Sequence, residues 1–195
     1  MLLNDRSSTL ALLETRRSGS PREMIAPGPD AVELERILAI AARTPDHGKL
    51  FPWRFVTVAS DQRQALADLL ARALNEHDPA ATAAHFAKAL EFAHHAPALV
   101  VLISAPIADH KIPLWEQQLS VGAAGMNLLI ATHAMGFVGG WITGWAAYSE
   151  TVRAAFCAPG ERIAGFFFLG SPGRTLEERS RAPLATLIRS WTSPA

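Results

Sequence analysis

Apolar strands alternating with amphipathic helices predict an α/β or α+β fold. Three stretches carry that reading. Ala98 to Ser104 (ALVVLIS) is an unbroken apolar run bounded by Pro97 and Pro106, the pattern of a central strand buried on both faces. Ile163 to Leu169 (IAGFFFL) is a second such run, closed by Gly170-Ser171-Pro172. Between them, Trp115 to Met135 reads as one long helix, apolar nearly all round, which must be covered on every side. The core of a homodimer would cover it, and so would the interior of one subunit.

Composition bounds the function. The chain has 195 residues, the length of a single domain spanning 1–195 with its own core. With 49% hydrophobic and 18% charged residues it reads as compact and somewhat apolar. Acidic and basic residues balance at 18 each, so no net field favours nucleic acid or an anionic membrane. Cys157 stands alone, which leaves no internal disulfide framework and fits a reducing cytoplasm. Met1-Leu2-Leu3-Asn4-Asp5-Arg6 is interrupted by charge too early for a secretory leader. The long apolar run from Leu119 to Trp145 is broken by glycines and lacks the flanks of a membrane span.

In chain order, Thr9 to Arg17 is a short helix ending in Arg16-Arg17-Ser18-Gly19-Ser20-Pro21-Arg22. Three guanidinium forks and two hydroxyls would hold a phosphate, although cations at a helix end also answer its dipole. Asp30 and Glu33 form a capping box opening a helix with the apolar stripe Leu34, Ile37, Leu38 and Ala41. That helix runs into Arg43-Thr44-Pro45-Asp46-His47-Gly48-Lys49-Leu50-Phe51-Pro52-Trp53, a loop too rich in Arg43, Asp46 and His47 to be punctuation alone. A strand over Phe55, Val56 and Val58 follows, then a helix capped by Asp61 that buries Ala65, Leu66, Leu69, Leu70, Ala73 and Leu74. The segment from Pro79 to His95 reads as an exposed helix; His85, His94 and His95 lack the i, i+4 spacing of a helical zinc pair, and no metal is expected. Gly136 to Gly144 is a glycine-rich turn and strand of the kind that lets backbone approach a flat ligand. Ser149 caps a short helix to Phe156. The tail carries Glu177, Glu178, Arg179 and Arg181, then Leu184, Leu187, Ile188 and Trp191, which would suit a neighbouring subunit.

These pieces in this order resemble the nitroreductase family of flavin enzymes, in its small single-domain branch. The resemblance runs from Leu10 to Pro172. It rests on Arg16-Arg17-Ser18, on Arg43 to His47 leading to Pro52-Trp53, on Trp115-Glu116-Gln117, on the Gly136 to Gly144 turn, and on Gly165-Phe166-Phe167-Phe168-Leu169-Gly170-Ser171-Pro172. It implies an α+β fold with a mixed central sheet flanked by helices, in an interlocked homodimer with FMN at the subunit interface. By the same resemblance Arg16, Arg17 and Ser18 contact phosphate and ribityl, Arg43 and His47 reach the partner's FMN, and Trp141, Ile142 and Thr143 form a third flavin-contacting segment. Nicotinamide nucleotide contacts fall along Ala131, Thr132, His133, Ala134, Met135 and Gly136. NAD(P)H is then the co-substrate, a nitroaromatic, quinone or other small molecule the acceptor, and the flavin rather than a side chain carries the chemistry, with ping-pong kinetics. A flavin-binding dimer without reductase activity is the alternative.

Two positions depart from the family pattern. Phe51 stands where glutamine is common before Pro-Trp, and Ile142 where relatives can carry arginine. Ile142 removes a cation that Arg179 or Arg181 of the tail could replace.

Overall fold

The computed structural model describes residues 2–194. Its elements are α1 (Thr9–Thr15), β1 (Met24–Ile25), α2 (Ala31–Ala41), β2 (Trp53–Thr57), α3 (Arg63–His77), α4 (Ala83–His94), β3 (Ala98–Ser104), α5 (Leu114–Ala134), β4 (Val138–Ile142), α6 (Trp145–Tyr148), α7 (Glu150–Phe156) and β5 (Arg162–Pro172). The expected mixture of helices and one sheet is present, and the class is α+β.

β5 is the axis of the sheet. Residues Phe166 to Leu169 pair with β3 on one edge and with β4 on the other, while β2 extends the sheet beyond β3 and β1 pairs with Ser171 and Pro172. The sheet was expected to be mixed, yet every pairing among the described residues is antiparallel. The helix α5 does return β4 parallel to β3, but β5 is inserted between the two and runs against both.

Successive side chains of a strand point to opposite faces, so the FFF run of β5 feeds two cores. Phe166 and Phe168 pack with Leu99 and Val101 under α3, α4, α6 and α7, where Phe92 meets both rings edge-on at 5.2 and 5.1 Å. Phe167 and Leu169 pack with Val100 and Leu102 under α2 and α5. All three phenylalanines are fully buried, which explains why β3 and β5 read as unbroken apolar runs.

Local rules hold at most element ends. Asp30 accepts from the Glu33 N–H at 2.8 Å while Glu33 accepts from the Asp30 N–H at 2.9 Å, completing the capping box. Ser149 caps α7 through the Val152 N–H. Asp61 does not cap α3: it lies in a 3-10 turn over Ser60–Gln62, and the helix starts at Arg63 with no side-chain cap. Arg63 takes over instead. It is buried, and its guanidinium donates to the carbonyls of Ala93 (2.9 Å), Val58 and His95 (both 3.3 Å), tying the start of α3 to the end of α4. On α3, Arg63 and Ala67 are buried where Ala65 was expected to be, and Ala65 is exposed.

α5 is covered along one side by the sheet and α2. The opposite stripe, Leu119, Gly122, Ala123, Met126 and Ile130, is exposed or half-buried, and a Cβ on Gly122 would meet nothing within 4 Å. Near its end, fully buried His133 accepts the Gly139 N–H at Nε2 (3.2 Å), which puts the ring proton on Nδ1, where it has no partner. Burial, aided by the charge of Arg16, pushes the His133 pKa down to about 4.

Two predictions follow from these contacts. Arg63→Met should cost about 3 kcal/mol, because it strands buried carbonyls that a cation now satisfies, whereas Asp61→Ala should stay within about 0.5 kcal/mol. Urea midpoints of the two variants check both. His133 is neutral in the fold and takes a proton more readily when unfolded, so its contribution is full above pH 6.5 and is lost as pH falls towards 4. The loss amounts to roughly 3 kcal/mol, and the pH dependence of stability in His133→Gln, subtracted from that of the wild type, should show it.

Candidate flavin site

Two clusters flank β4. The first is cationic. Arg16 is half-buried and donates from Nη1 to Ser18 Oγ at 3.3 Å; Arg17 donates from Nε to the Glu177 carbonyl at 2.8 Å and from Nη1 to the Ser18 carbonyl at 3.0 Å. The tail returns to this place: Arg181 donates to the Arg16 carbonyl at 3.3 Å and pairs with Glu178 at 2.9 Å. Burial, followed by the charges of Arg181, Arg17 and Arg179, lowers the Arg16 pKa. Against these four guanidinium groups stands the Glu178 carboxylate, and a cluster in which cations so outnumber it is suited to a dianionic phosphate. Asn4 holds the strand of the cluster in place, accepting the Arg17 N–H at 2.7 Å and donating to its carbonyl at 3.0 Å.

From this cluster the chain runs along β4. The Gly19 N–H donates to the Gly139 carbonyl at 3.1 Å, and a Cβ on Gly140 would lie 2.7 Å from the Gly19 carbonyl oxygen, so only glycine admits the two backbones this close. The same segment delivers Arg22 to the second cluster, a cavity of about 630 Å³ between the α3–α4 hairpin and the β4–α6 turn. Leu70, Leu74, Phe92 and Ile142 give it an apolar floor; Arg22, Lys88, His77 and His85 give it cationic and hydrogen-bonding walls, with Asp78 and Thr143 at its edge. Trp145 stacks on His77 at 5.8 Å, forming a flat aromatic wall.

Of the third expected segment, Ile142 and Thr143 line this cavity and Trp141 does not. Strand alternation sends the indole to the other face, where it lies 4.9 Å from Phe167 and donates to the Ala164 carbonyl at 3.0 Å. Gly165 leaves no space for a side chain beneath it, and a Cβ on Gly125 would come within 3.1 Å of the indole. Trp141 is 37% exposed, so its outer edge stays open.

The central loop lies on that second face. Thr44 is buried and accepts from Asn127 of α5 at 2.9 Å; Asp46 accepts the Phe51 N–H at 2.7 Å; His47 Nδ1 meets Glu116 Oε2 at 2.7 Å. Arg43 is exposed. Asp46 thus serves the loop's own turn, in which Gly48, Lys49 and Phe51 adopt positive φ. Within one chain, Arg43 and His47 belong to the α5 face and the cavity to the α3–α4 face, so the structure does not bring these two groups together.

The nicotinamide run ends α5. Ala131, Thr132 and His133 are buried, Thr132 donating to the Leu128 carbonyl at 2.8 Å; Met135 is half-buried, and Ala134 and Gly136 are exposed. Sequence reading missed Asn4, His77 and Lys88. The available signal was His85 and Lys88 three residues apart on α4, which puts them on one helix face. Among the described residues no three His, Cys, Asp or Glu side chains group as a metal site, and no helix is long and apolar enough to cross a membrane.

Comparison with known proteins agrees with this architecture. The Nitroreductase family matches residues 15–171. A Haemophilus influenzae protein named "Putative NAD(P)H nitroreductase" is 37% identical over 176 residues, 88% of this chain and 92% of its own length. The crystal structure of a nitroreductase-like family protein from Bacillus cereus superposes with a TM-score of 0.79 at 20% identity, covering 94% of this chain and 96% of that one. The NADPH:FMN oxidoreductase of Vibrio harveyi, complexed with NAD+, superposes with a TM-score of 0.72 at 17% identity, covering 96% and 78%. With most of its length matched in sequence and in fold, the chain belongs to the nitroreductase family.

Proposed function

We propose that this protein is an FMN-dependent NAD(P)H oxidoreductase that works as a homodimer. The observation that carries the reading is the guanidinium cluster of Arg16, Arg17, Arg179 and Arg181 at the head of a strand that ends in a cavity of about 630 Å³. A phosphate at the cluster and a flat ring beside Ile142 and Thr143 satisfy both ends with one ligand. When bound, FMN supplies hydride transfer between a reduced nicotinamide and an acceptor. Arg16, Arg17 and Ser18 would hold the phosphate, with Arg179 and Arg181 making good the cation that Ile142 lacks. Arg22 and Lys88 would place positive charge on the cavity side of the ring, favouring its reduced, anionic form.

Dimerisation completes the site. Arg43 and His47 face away from their own chain's cavity and would serve the flavin held across the interface. The bare stripe of α5 and the exposed Leu184, Leu187, Ile188 and Trp191 supply apolar surface for such an interface. Exposed Ala134 and Gly136 are the part of the nicotinamide run open to a nucleotide. NADH or NADPH donates, a nitroaromatic or quinone accepts in the same place after the oxidised nucleotide leaves, and ping-pong kinetics result. The cytoplasm, where reduced nicotinamides are abundant, is the setting we assign.

The reading is tested on purified protein by its flavin absorption, its solution mass and its oxidation of NADH or NADPH with menadione or nitrofurazone as acceptor. One FMN per subunit, a dimer and steady turnover are expected. Bound FMN without turnover on either nucleotide would leave the alternative of a storage or sensing dimer, and a monomer that retains no flavin would defeat the reading altogether. Arg16→Ala should weaken FMN binding about 10- to 100-fold, the scale of one lost charge-assisted contact, measured by flavin fluorescence titration. Ala123→Glu, which puts a charge on the bare stripe of α5, should give a monomer in sedimentation and lose FMN with it.

A further inference from the structure

The Trp115-Glu116-Gln117 motif opens α5, and the flavin reading above gives it no task. Its side chains divide the work. Buried Gln117 accepts the Ile107 N–H at 2.8 Å and donates to the carbonyls of Ile107 and Ile112, both at 3.1 Å, fixing the loop before α5. That loop backs the His47-Gly48 turn: Ile112 Cγ1 lies 3.3 Å from where a Cβ on Gly48 would stand. Glu116, thus held, reaches across to His47 Nδ1 at 2.7 Å.

We propose that Glu116 is a positioning residue which orients His47, so that the pair delivers the proton required when an acceptor is reduced. The proposal rests on the flavin reading, in which His47 faces the site across the interface. The Glu116 carboxylate accepts the Nδ1–H hydrogen bond and so fixes the ring, and when the ring carries its second proton that Nε2–H points outward. The His47 and Glu116 side chains are 65% and 42% exposed, open enough to exchange protons with water. Other charges lie near. Arg43, Asp46 and Lys49 share the loop, and His110 and Lys111 belong to the segment that backs Gly48. Asp46 is committed to the Phe51 N–H and His110 Nδ1 to the Ile112 N–H, so Glu116 is the carboxylate that answers the imidazole.

The chemistry balances. A quinone reduced by two electrons gains a hydride, which the bound cofactor supplies, and one further proton. The Nε2–H bond of His47 breaks and an O–H bond forms on the quinone oxygen. The imidazole is left neutral and recovers its proton from solvent. Ferricyanide takes electrons without protons and bypasses this step.

The test is Glu116→Ala in the FMN-loaded protein, with turnover on benzoquinone and on ferricyanide measured at saturating nicotinamide, and with 15N NMR of the His47 ring. The quinone-to-ferricyanide ratio should fall at least tenfold, Glu116→Asp should recover part of it, and the neutral ring should move its proton from Nδ1 to Nε2. An unchanged ratio overturns the proposal. So does a parallel fall of both rates with loss of FMN, which would make the pair a loop clamp only. A wild-type protein that binds no FMN sinks the flavin reading and this one together, whereas a flavin-loaded wild type with an unchanged ratio in the variant sinks this one alone.

Discussion

The structure depends on the insertion of β5 between β3 and β4. With both edges of Phe166 to Leu169 hydrogen-bonded, the strand is closed to other partners, and its side chains must be buried above and below the sheet. Two separate cores result, one under α3, α4, α6 and α7 and one under α2 and α5. Any ligand site at the end of β4 therefore has one natural wall per face. Trp141 turns towards α5 and Ile142 towards the cavity because they are neighbours on a strand, and no local rearrangement could put both side chains on the same side.

That division explains why the chain's chemistry is spread as it is. The phosphate-binding type of group, guanidinium, is gathered where three segments distant in sequence meet: the end of α1, the start of β4 and the returning tail. Burial, and after it the charges of Arg181, Arg17 and Arg179, lowers the Arg16 pKa, and an anion bound beside that guanidinium would offset the strain. The cavity, by contrast, is lined by aromatic and aliphatic side chains together with Arg22, Lys88, His77 and His85. A ligand with one dianionic end and one flat, weakly polar end matches this polarity along its length.

Much of this was legible in the sequence, for reasons that can be named. The capping box at Asp30, the Ser149 cap and the bounds of β3 depend on interactions within a few residues, and short-range chemistry is what a sequence displays. The cap expected of Asp61 was not formed because Arg63, buried by contacts with residues about thirty positions later, fixes where α3 begins. The expectation of a mixed sheet came with the family resemblance, and the intrusion of β5 between β3 and β4 from further along the chain cannot be seen locally. Arg16, Arg17 and Ser18 could be singled out because they adjoin in sequence; Lys88, His77 and the placing of Arg181 could not, because only the tertiary fold carries them to the cavity and to the arginine cluster.

α5 is the element through which these parts communicate. Its first turn holds His47 through Glu116, its middle holds Thr44 through Asn127, and its last turn holds Gly139 through His133. The Gly139 carbonyl in turn receives the Gly19 N–H, one residue beyond Ser18. A single rigid helix thus sets the central loop, the start of β4 and the arginine-bearing arm in fixed relation, and the rise of about 1.5 Å per residue puts the Glu116 and His133 contacts roughly 25 Å apart. A site needing both ends of that span cannot close within one copy of the helix. Two copies side by side in opposite directions would bring the first turn of one against the last turn of the other, which is the geometry that the bare stripe of Leu119, Gly122, Ala123, Met126 and Ile130 leaves room for.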